Sequence, residues 1–429
     1  MRFRIVTMLV LSCFVLHAQA KDDLPMAQPE SVGMSSERLE RMSKWIERYV
    51  ETKQIAGAVT LVARHGKVVH FEAHGWRHKE ENQPMELDSI FTIMSMTKPI
   101  VSMALMMLHE DGLFLLDDPI SKWLPEYASP EVVVQTGFRS QREPAARAIT
   151  VRDVLTHTSG LRTRPGNVTL SNDERLVFEA DGSRPTTVEE QLRRAAVIPL
   201  AFQPGEHWQY GSSTDYVAVL VEKISGIRLD RFLQQRLFDP LGMTDTQYNV
   251  PEDKVSRVSA VYRPDENGEI VLRFAPSYRE PTTMFRGVAG LSSTASDYFR
   301  FAQMLLNGGE YDGKRLLGRR TIEQAISNHI QPEQPVYIRG PGYGFGLGFG
   351  VLVDPTASRD SLSRGSFTWG GAYGTLFWVD PVEELIGVLM MQISPYSHFN
   401  LRPELSSLAT QAIIDGHPQQ APKIRGHLD

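Results

Sequence analysis

The chain has 429 residues, a formal net charge of −6, 22 % charged residues and a single cysteine, Cys13. That length suits a large core or two interleaved domains, and the mild charge argues against a basic nucleic-acid footprint or a polybasic membrane patch. With one thiol, which lies near the start of the chain, no disulfide framework, cysteine nucleophile or thiolate metal site is expected downstream.

Residues Met1 to Ala20 read as an export signal. Arg2 and Arg4 form a positive n-region, Ile5 to Leu16 an apolar stretch too short to span a bilayer, and Ala18-Gln19-Ala20 a small-x-small cleavage site. The expectation is a periplasmic or secreted protein with no stable membrane insertion after cleavage. A lipoprotein cut before Cys13 is disfavoured by the apolar Phe14-Val15-Leu16 that would follow. Beyond the signal, Ser35 or Ser36 caps a helix whose apolar positions are Leu39, Met42, Ile46 and Tyr49, at helical spacing. Ala58 to Ala63 and Val68 to His74 are β-type runs flanking Arg64-His65-Gly66-Lys67, a hairpin signature.

A polar loop from His78 to Pro84 then leads to Phe91-Thr92-Ile93-Met94 and the sequence Ser95-Met96-Thr97-Lys98. Ile100 to Leu108 is apolar on nearly every side, as in a helix buried within a large protein. Pro99 falls in the first turn, where a missing N–H costs least. Residues three apart share a helix face, so Ser95 and Lys98 are neighbours. A serine hydroxyl needs a base to become a nucleophile, and a desolvated lysine can serve as one. An N-capping serine with a snorkelling lysine would give the same four letters.

From Asp117 to about Leu305 the pattern is mostly helical, with irregular loops expected over Val133 to Ala148 and Arg162 to Thr187. Within it, Tyr210-Gly211-Ser212 follows Gln203-Pro204-Gly205-Glu206 and precedes the apolar run Tyr216 to Val221. A tyrosine beside an ammonium can relay protons, although a loop tyrosine packed on the next helix fits the same residues. Tyr127-Ala128-Ser129 competes for this role, but follows Leu124-Pro125 close to the serine helix. Towards the end, Phe367 to Val379 and Ile386 to Gln392 are strand-like and joined through Asp380-Pro381. Trp369-Gly370-Gly371-Ala372 lies in the first of them, where glycines signal a closely approaching backbone or ligand. Leu405, Leu408 and Ala412 mark a final helix that Gly416 closes, and residues 417–429 are expected to form a flexible tail. Strands at both ends around a helical middle predict an α+β protein: an antiparallel sheet flanked by helices (about 35–90 and 310–416) with an inserted, mainly helical part (about 91–309).

In this order the three motifs resemble the serine β-lactamase and penicillin-binding-protein superfamily. The similarity is greatest to its class C-like branch and to the β-lactamase-like (family VIII) carboxylesterases, over roughly residues 35 to 415. Asp118-Pro119-Ile120-Ser121, the stretch from Ile149 to Leu161 with Thr156-His157-Thr158-Ser159-Gly160, Phe238-Asp239-Pro240-Leu241-Gly242-Met243, Gly290-Leu291-Ser292-Ser293-Thr294 and Met304 to Gly309 reinforce it. The resemblance implies Ser95 as acyl-accepting nucleophile and Lys98 and Tyr210 as the acid–base pair. It also implies an oxyanion hole from the N–H groups of Ser95 and Ala372, and substrate contacts from Ser212, Trp369, Gly370 and Gly371. His157 then belongs to a structural segment. No metal or cofactor is implied, since no His-Glu-x-x-His or similar spacing is present, and without a Gly-x-Ser-x-Gly the nucleophile elbow of an α/β-hydrolase is absent too.

Two departures bear on substrate choice. The third motif starts with Trp369 where the lactamase pattern has a cation, and the second ends in Ser212 where that pattern has Asn. Loss of the cation removes a charge-assisted contact to a β-lactam carboxylate, and Trp369 would suit an uncharged, apolar acyl group. The expectation is a serine esterase acting on small carboxylic esters, with slight β-lactamase activity. The alternatives are a D-amino-acid peptidase, amidase or β-lactamase and, from another class, a covalent acyl-binding sensor without turnover.

Overall fold

A computed structural model describes residues 24–136, 139–164, 170–396 and 400–416. The export signal expected at 1–20, Cys13 and the tail expected at 417–429 lie outside these residues. The first helix, α1 (Ser36–Glu51), starts where the cap signal placed it: Ser35 Oγ accepts the Arg38 N–H, and Leu39, Met42 and Ile46 are buried. The hairpin β1 (Gly57–Arg64) and β2 (Lys67–His78) turns through His65 and Gly66, both at positive φ, as a tight hairpin requires. A short β3 (Gln83–Pro84) follows on the edge.

The chain leaves the sheet at this point and re-enters it only near the end. It returns with β4 (Tyr343–Phe345), β5 (Gly350–Leu352), β6 (Phe367–Gly370), β7 (Leu376–Asp380) and β8 (Leu385–Met391). The eight strands order as β4-β5-β6-β7-β8-β1-β2-β3, every neighbour antiparallel. β1 pairs with β8 from Ala58 opposite Met391 to Arg64 opposite Leu385, so the two ends of the sequence close the centre of the sheet. Both strands are buried at every position, which requires cover on both faces. Cover comes from α1, which packs on β2 and on the last helix α5 (Leu401–Thr410), and from α4 (Ala295–Leu306) against β1, β7 and β8. The central helix α2 (Thr97–Glu110) is buried from Thr97 to Leu108 and packs on α3 (Ser213–Ser225), whose Ser213 to Val221 are buried too. The α+β architecture is the one expected.

Three local expectations need correction. Phe367 to Val379 is two strands, not one: Gly371 to Thr375 form a turn, with the Gly371 N–H donating to Thr375 O at 2.8 Å and Gly374 at φ +93°. The reversal is permitted by glycine at a positive φ. Val133 to Ala148 is not irregular either, because 131–136 and 139–144 pair as a hairpin that the charged composition concealed. Between Arg162 and Thr187, Asn172–Glu179 is a helix with a Ser171/Glu174 capping box. The mainly helical stretch also holds a hairpin, 261–264 with 270–274.

Candidate active site

Ser95 sits at the turn between a strand fragment and α2. Phe91 and Thr92 pair with Ser293 and Ser292, and the Ile93 N–H donates to Leu291 O at 3.0 Å. Met94 then turns the chain at φ +48°, a conformation that costs a side chain roughly 1–2 kcal/mol and is held here by its surroundings. Met94 to Met96 form a single 3-10 turn before the α-helix begins at Thr97, and Tyr298 Oη donates to Met96 O at 2.9 Å. This fixes the Ser95 backbone at the mouth of a buried helix.

Lys98 follows one turn on and is only 3 % exposed. Its Nζ lies 3.2 Å from Ser95 Oγ, donates to Val288 O at 2.7 Å, and stands over the Tyr210 ring at 4.7 Å from the centroid. A polar group this buried needs such partners to hold its place. The snorkelling alternative is thereby excluded. The lysine faces the face of the Tyr210 ring rather than its hydroxyl.

Tyr210 is set in a wall of aromatic rings. Trp208 stacks on it at 6.1 Å and 15°, Trp369 lies at 5.4 Å and the His157 ring at 5.1 Å. The backbone before it is laced to the Thr156–Gly160 stretch: Gln209 N–H donates to His157 O (2.9 Å), Gly205 to Thr158 O (2.8 Å) and Ala201 to Gly160 O (2.8 Å). The long Thr-His-Thr-Ser-Gly signature is thus the bed on which the tyrosine loop lies. His157 itself, at φ +59°, is fully buried, and burial, followed by the nearby Lys98 charge, pushes its imidazole down to about 3. It is neutral at working pH, and its Nδ1 has no hydrogen-bond partner among the described residues. The rival Tyr127 is remote in role: its hydroxyl donates to Leu192 O at 2.7 Å and meets Tyr216 Oη at 2.9 Å in the core.

The third motif meets the segment leading into Ser95 through the 371–375 turn. Thr375 Oγ1 donates to Ile93 O at 3.3 Å, and a Cβ on Gly371 would lie 2.4 Å from that same carbonyl. Only glycine lets the two backbones approach so closely. Ala372 is exposed at the tip of the turn, and its N–H meets no described backbone carbonyl. Trp369 is 2 % exposed and packs against Phe345 as well as Tyr210, so what it supports directly is the tyrosine. Ser212 is the residue before α3, its carbonyl accepting the Asp215 N–H at 2.8 Å.

Several groups at the site had no local sequence signal. Arg402, from α5, donates through Nη2 to Gly371 O (2.8 Å) and Thr375 O (3.0 Å), and so pins the turn. Burial pushes its guanidinium down to about 10, still cationic at neutral pH. Tyr337, an exposed ring on Trp208, accepts the Tyr210 N–H at 3.3 Å. Val288 acts through its carbonyl. Only the Gly287 and Gly290 beside it hinted at close backbone contact.

A buried lysine within reach of a serine hydroxyl, roofed by a wall of aromatic rings, is the arrangement of a serine hydrolase of the β-lactamase type. The family model described as Beta-lactamase matches residues 42–410, and the chain belongs to that family. Esterase EstB from Burkholderia gladioli is 31 % identical, over 83 % of this chain and 90 % of its own. Among solved structures, simvastatin synthase (LovD) from Aspergillus terreus superposes with a TM-score of 0.74 at 22 % identity, covering 89 % of this chain and 98 % of that one. EstCE1, described as a hydrolase with promiscuous acyltransferase activity, gives a TM-score of 0.72 at 24 % identity, with 88 % and 98 % covered.

Proposed function

We propose that the protein is an exported serine esterase that cleaves small carboxylic esters through an acyl-enzyme on Ser95. The observation that carries this reading is the buried Lys98 Nζ, 3.2 Å from Ser95 Oγ and facing Tyr210. With Lys98 neutral, Nζ takes the Ser95 proton as Oγ bonds to the ester carbonyl carbon. The oxyanion that forms is met by the N–H groups of Ser95 and Ala372. The carbon–oxygen bond to the alcohol then breaks, and the alcohol leaves with the proton that Lys98 took from Ser95, the Tyr210 ring facing the charge that Lys98 carries in between. Water adds to the acyl-enzyme, the acid departs and the Ser95 hydroxyl is restored.

Ester rather than β-lactam preference rests on Trp369 in place of a cation and on the similarity to Esterase EstB. Slight β-lactamase activity is expected to remain, since the acylation machinery is the same. Export rests on the signal read at residues 1–20, and the mature chain should begin at Lys21, which N-terminal sequencing of the exported protein checks. The functional test compares p-nitrophenyl butyrate and nitrocefin, for wild type and Ser95→Ala. Ester turnover that dominates and vanishes in the variant supports the reading. Turnover surviving in Ser95→Ala refutes the nucleophile. Dominant nitrocefin turnover makes the protein a β-lactamase, and a single stoichiometric burst makes it a sensor.

A further inference from the structure

The Lys98 side chain is held by the Val288 carbonyl, and Val288 is in turn held through its N–H by an ion pair outside the three motifs. Val288 O accepts from Lys98 Nζ at 2.7 Å, while the Val288 N–H donates to Asp215 Oδ1 at 3.1 Å. Asp215 Oδ2 accepts from Arg286, from Nη2 at 2.6 Å and Nε at 3.2 Å. Asp215 stands in the first turn of α3, directly after the Tyr210 motif, and its side chain has no solvent exposure. Such a carboxylate is stable only when its oxygens are satisfied, and here both are spent on the 286–288 segment.

Other contacts show that this segment has one seat. A Cβ on Gly287 would lie 1.9 Å from Thr214 O, so the loop backbone is pressed onto the start of α3. Tyr248 Oη donates to Arg286 O at 2.7 Å. At the far end the Leu291 N–H donates to Thr97 Oγ1 at 3.3 Å, on the serine helix itself. Residues 286–291 therefore bridge the helix that carries Lys98 to the helix that follows Tyr210.

We infer that Asp215, clamped by Arg286, is a positioning residue for the acyl-transfer chemistry: it fixes the Val288 carbonyl and through it sets Lys98 between Ser95 and Tyr210. The inference rests on the reading of Ser95 and Lys98 as nucleophile and proton carrier. Asp215 touches no reacting atom. Its effect is geometric, and a displacement near 1 Å at a reacting group can cost about 10²-fold in rate.

The test uses Asp215→Asn and Arg286→Gln, each made in the wild type and in Lys98→Met, with p-nitrophenyl butyrate turnover and thermal unfolding as readouts. In the wild-type background kcat should fall about tenfold or more for Asp215→Asn and about threefold to fivefold for Arg286→Gln, with KM within about twofold. Arg286→Lys, which restores one charged bond, should recover part of the loss. In the Lys98→Met background both substitutions should change the residual rate by less than about twofold, because the group they position is gone. Equal losses in both backgrounds, or none in the wild type, would overturn the proposal. Arg286 is 36 % exposed, so its variant remains a usable test even if Asp215→Asn does not fold. Should Ser95→Ala keep its ester turnover, the functional reading fails instead, and the two failures are told apart.

Discussion

Replacing Gly371 with alanine tests the oxyanion arrangement with the smallest possible change. The added Cβ would lie 2.2 Å from Thr375 Oγ1 and 2.4 Å from Ile93 O. A carbon–oxygen contact needs about 3.3 Å, so the turn and the Ile93–Ser95 backbone must separate by about 1 Å. Ile93 O cannot rotate away, because its neighbours hold it: the Ile93 N–H is bonded to Leu291 O and the Met96 N–H to Ile93 O itself. The shift therefore falls on the 371–375 turn and carries the Ala372 N–H away from the place proposed for it at the oxyanion. Loss of one such donor costs about 10²–10³ in kcat, and misplacement of about 1 Å about 10²-fold. The expected result for p-nitrophenyl butyrate is a kcat about 10² lower with KM changed severalfold at most. The overpacking should destabilise the fold by about 1–3 kcal/mol, measured by urea unfolding. Gly370→Ala should disturb the same turn from the other side and lower kcat too, because its Cβ would lie 2.6 Å from the Arg402 Nη2 that bonds Gly371 O and Thr375 O. A folded Gly371→Ala protein retaining more than half the wild-type kcat would refute the role given to Ala372.

Lys98→Met should lower kcat/KM by about 10²–10⁴ at constant fold, because it removes the proposed proton carrier while keeping the buried volume, and steady-state ester kinetics measure it. His157→Asn should flatten the acid side of the stability profile. The imidazole is held near 3 when folded against 6.5 as the ordinary value, so the unfolded chain binds the proton first. Its contribution to stability is complete above 6.5 and drains away as pH falls towards 3, by about 2 kcal/mol between pH 6.5 and 5. Urea unfolding at pH 7 and 5 should show that loss in the wild type and less of it in the variant, where asparagine also tolerates the positive φ. Arg64→Ala probes stability far from the site. The side chain is 1 % exposed and bonds Glu383, Asp415 and the carbonyls of Val32 and Gly33, joining both ends of the described chain to β1. Its loss should cost about 2–4 kcal/mol in unfolding free energy, with kcat near that of the wild type.

Sequence alone determined what is local. The Ser95–Lys98 pairing follows from a three-residue helical spacing, and the burial of α2 from a run apolar on every side. The β1–β2 hairpin follows from two residues suited to positive φ, and α1 from a cap and a period. The 371–375 turn escaped because two strands joined by glycines share one β-type composition, and the 131–144 hairpin because charged edge residues hide their alternation. Only the tertiary structure decided which distant groups complete the site. It brought Tyr210 over the lysine, turned its ring face rather than its hydroxyl towards Nζ, and buried Trp369 behind it. It also supplied Val288 through a carbonyl, a group that every residue carries and no sequence pattern marks. The Asp215–Arg286 clamp and the Arg402 bonds to the turn arise between segments far apart in the chain, where spacing gives no signal and packing alone sets the distance.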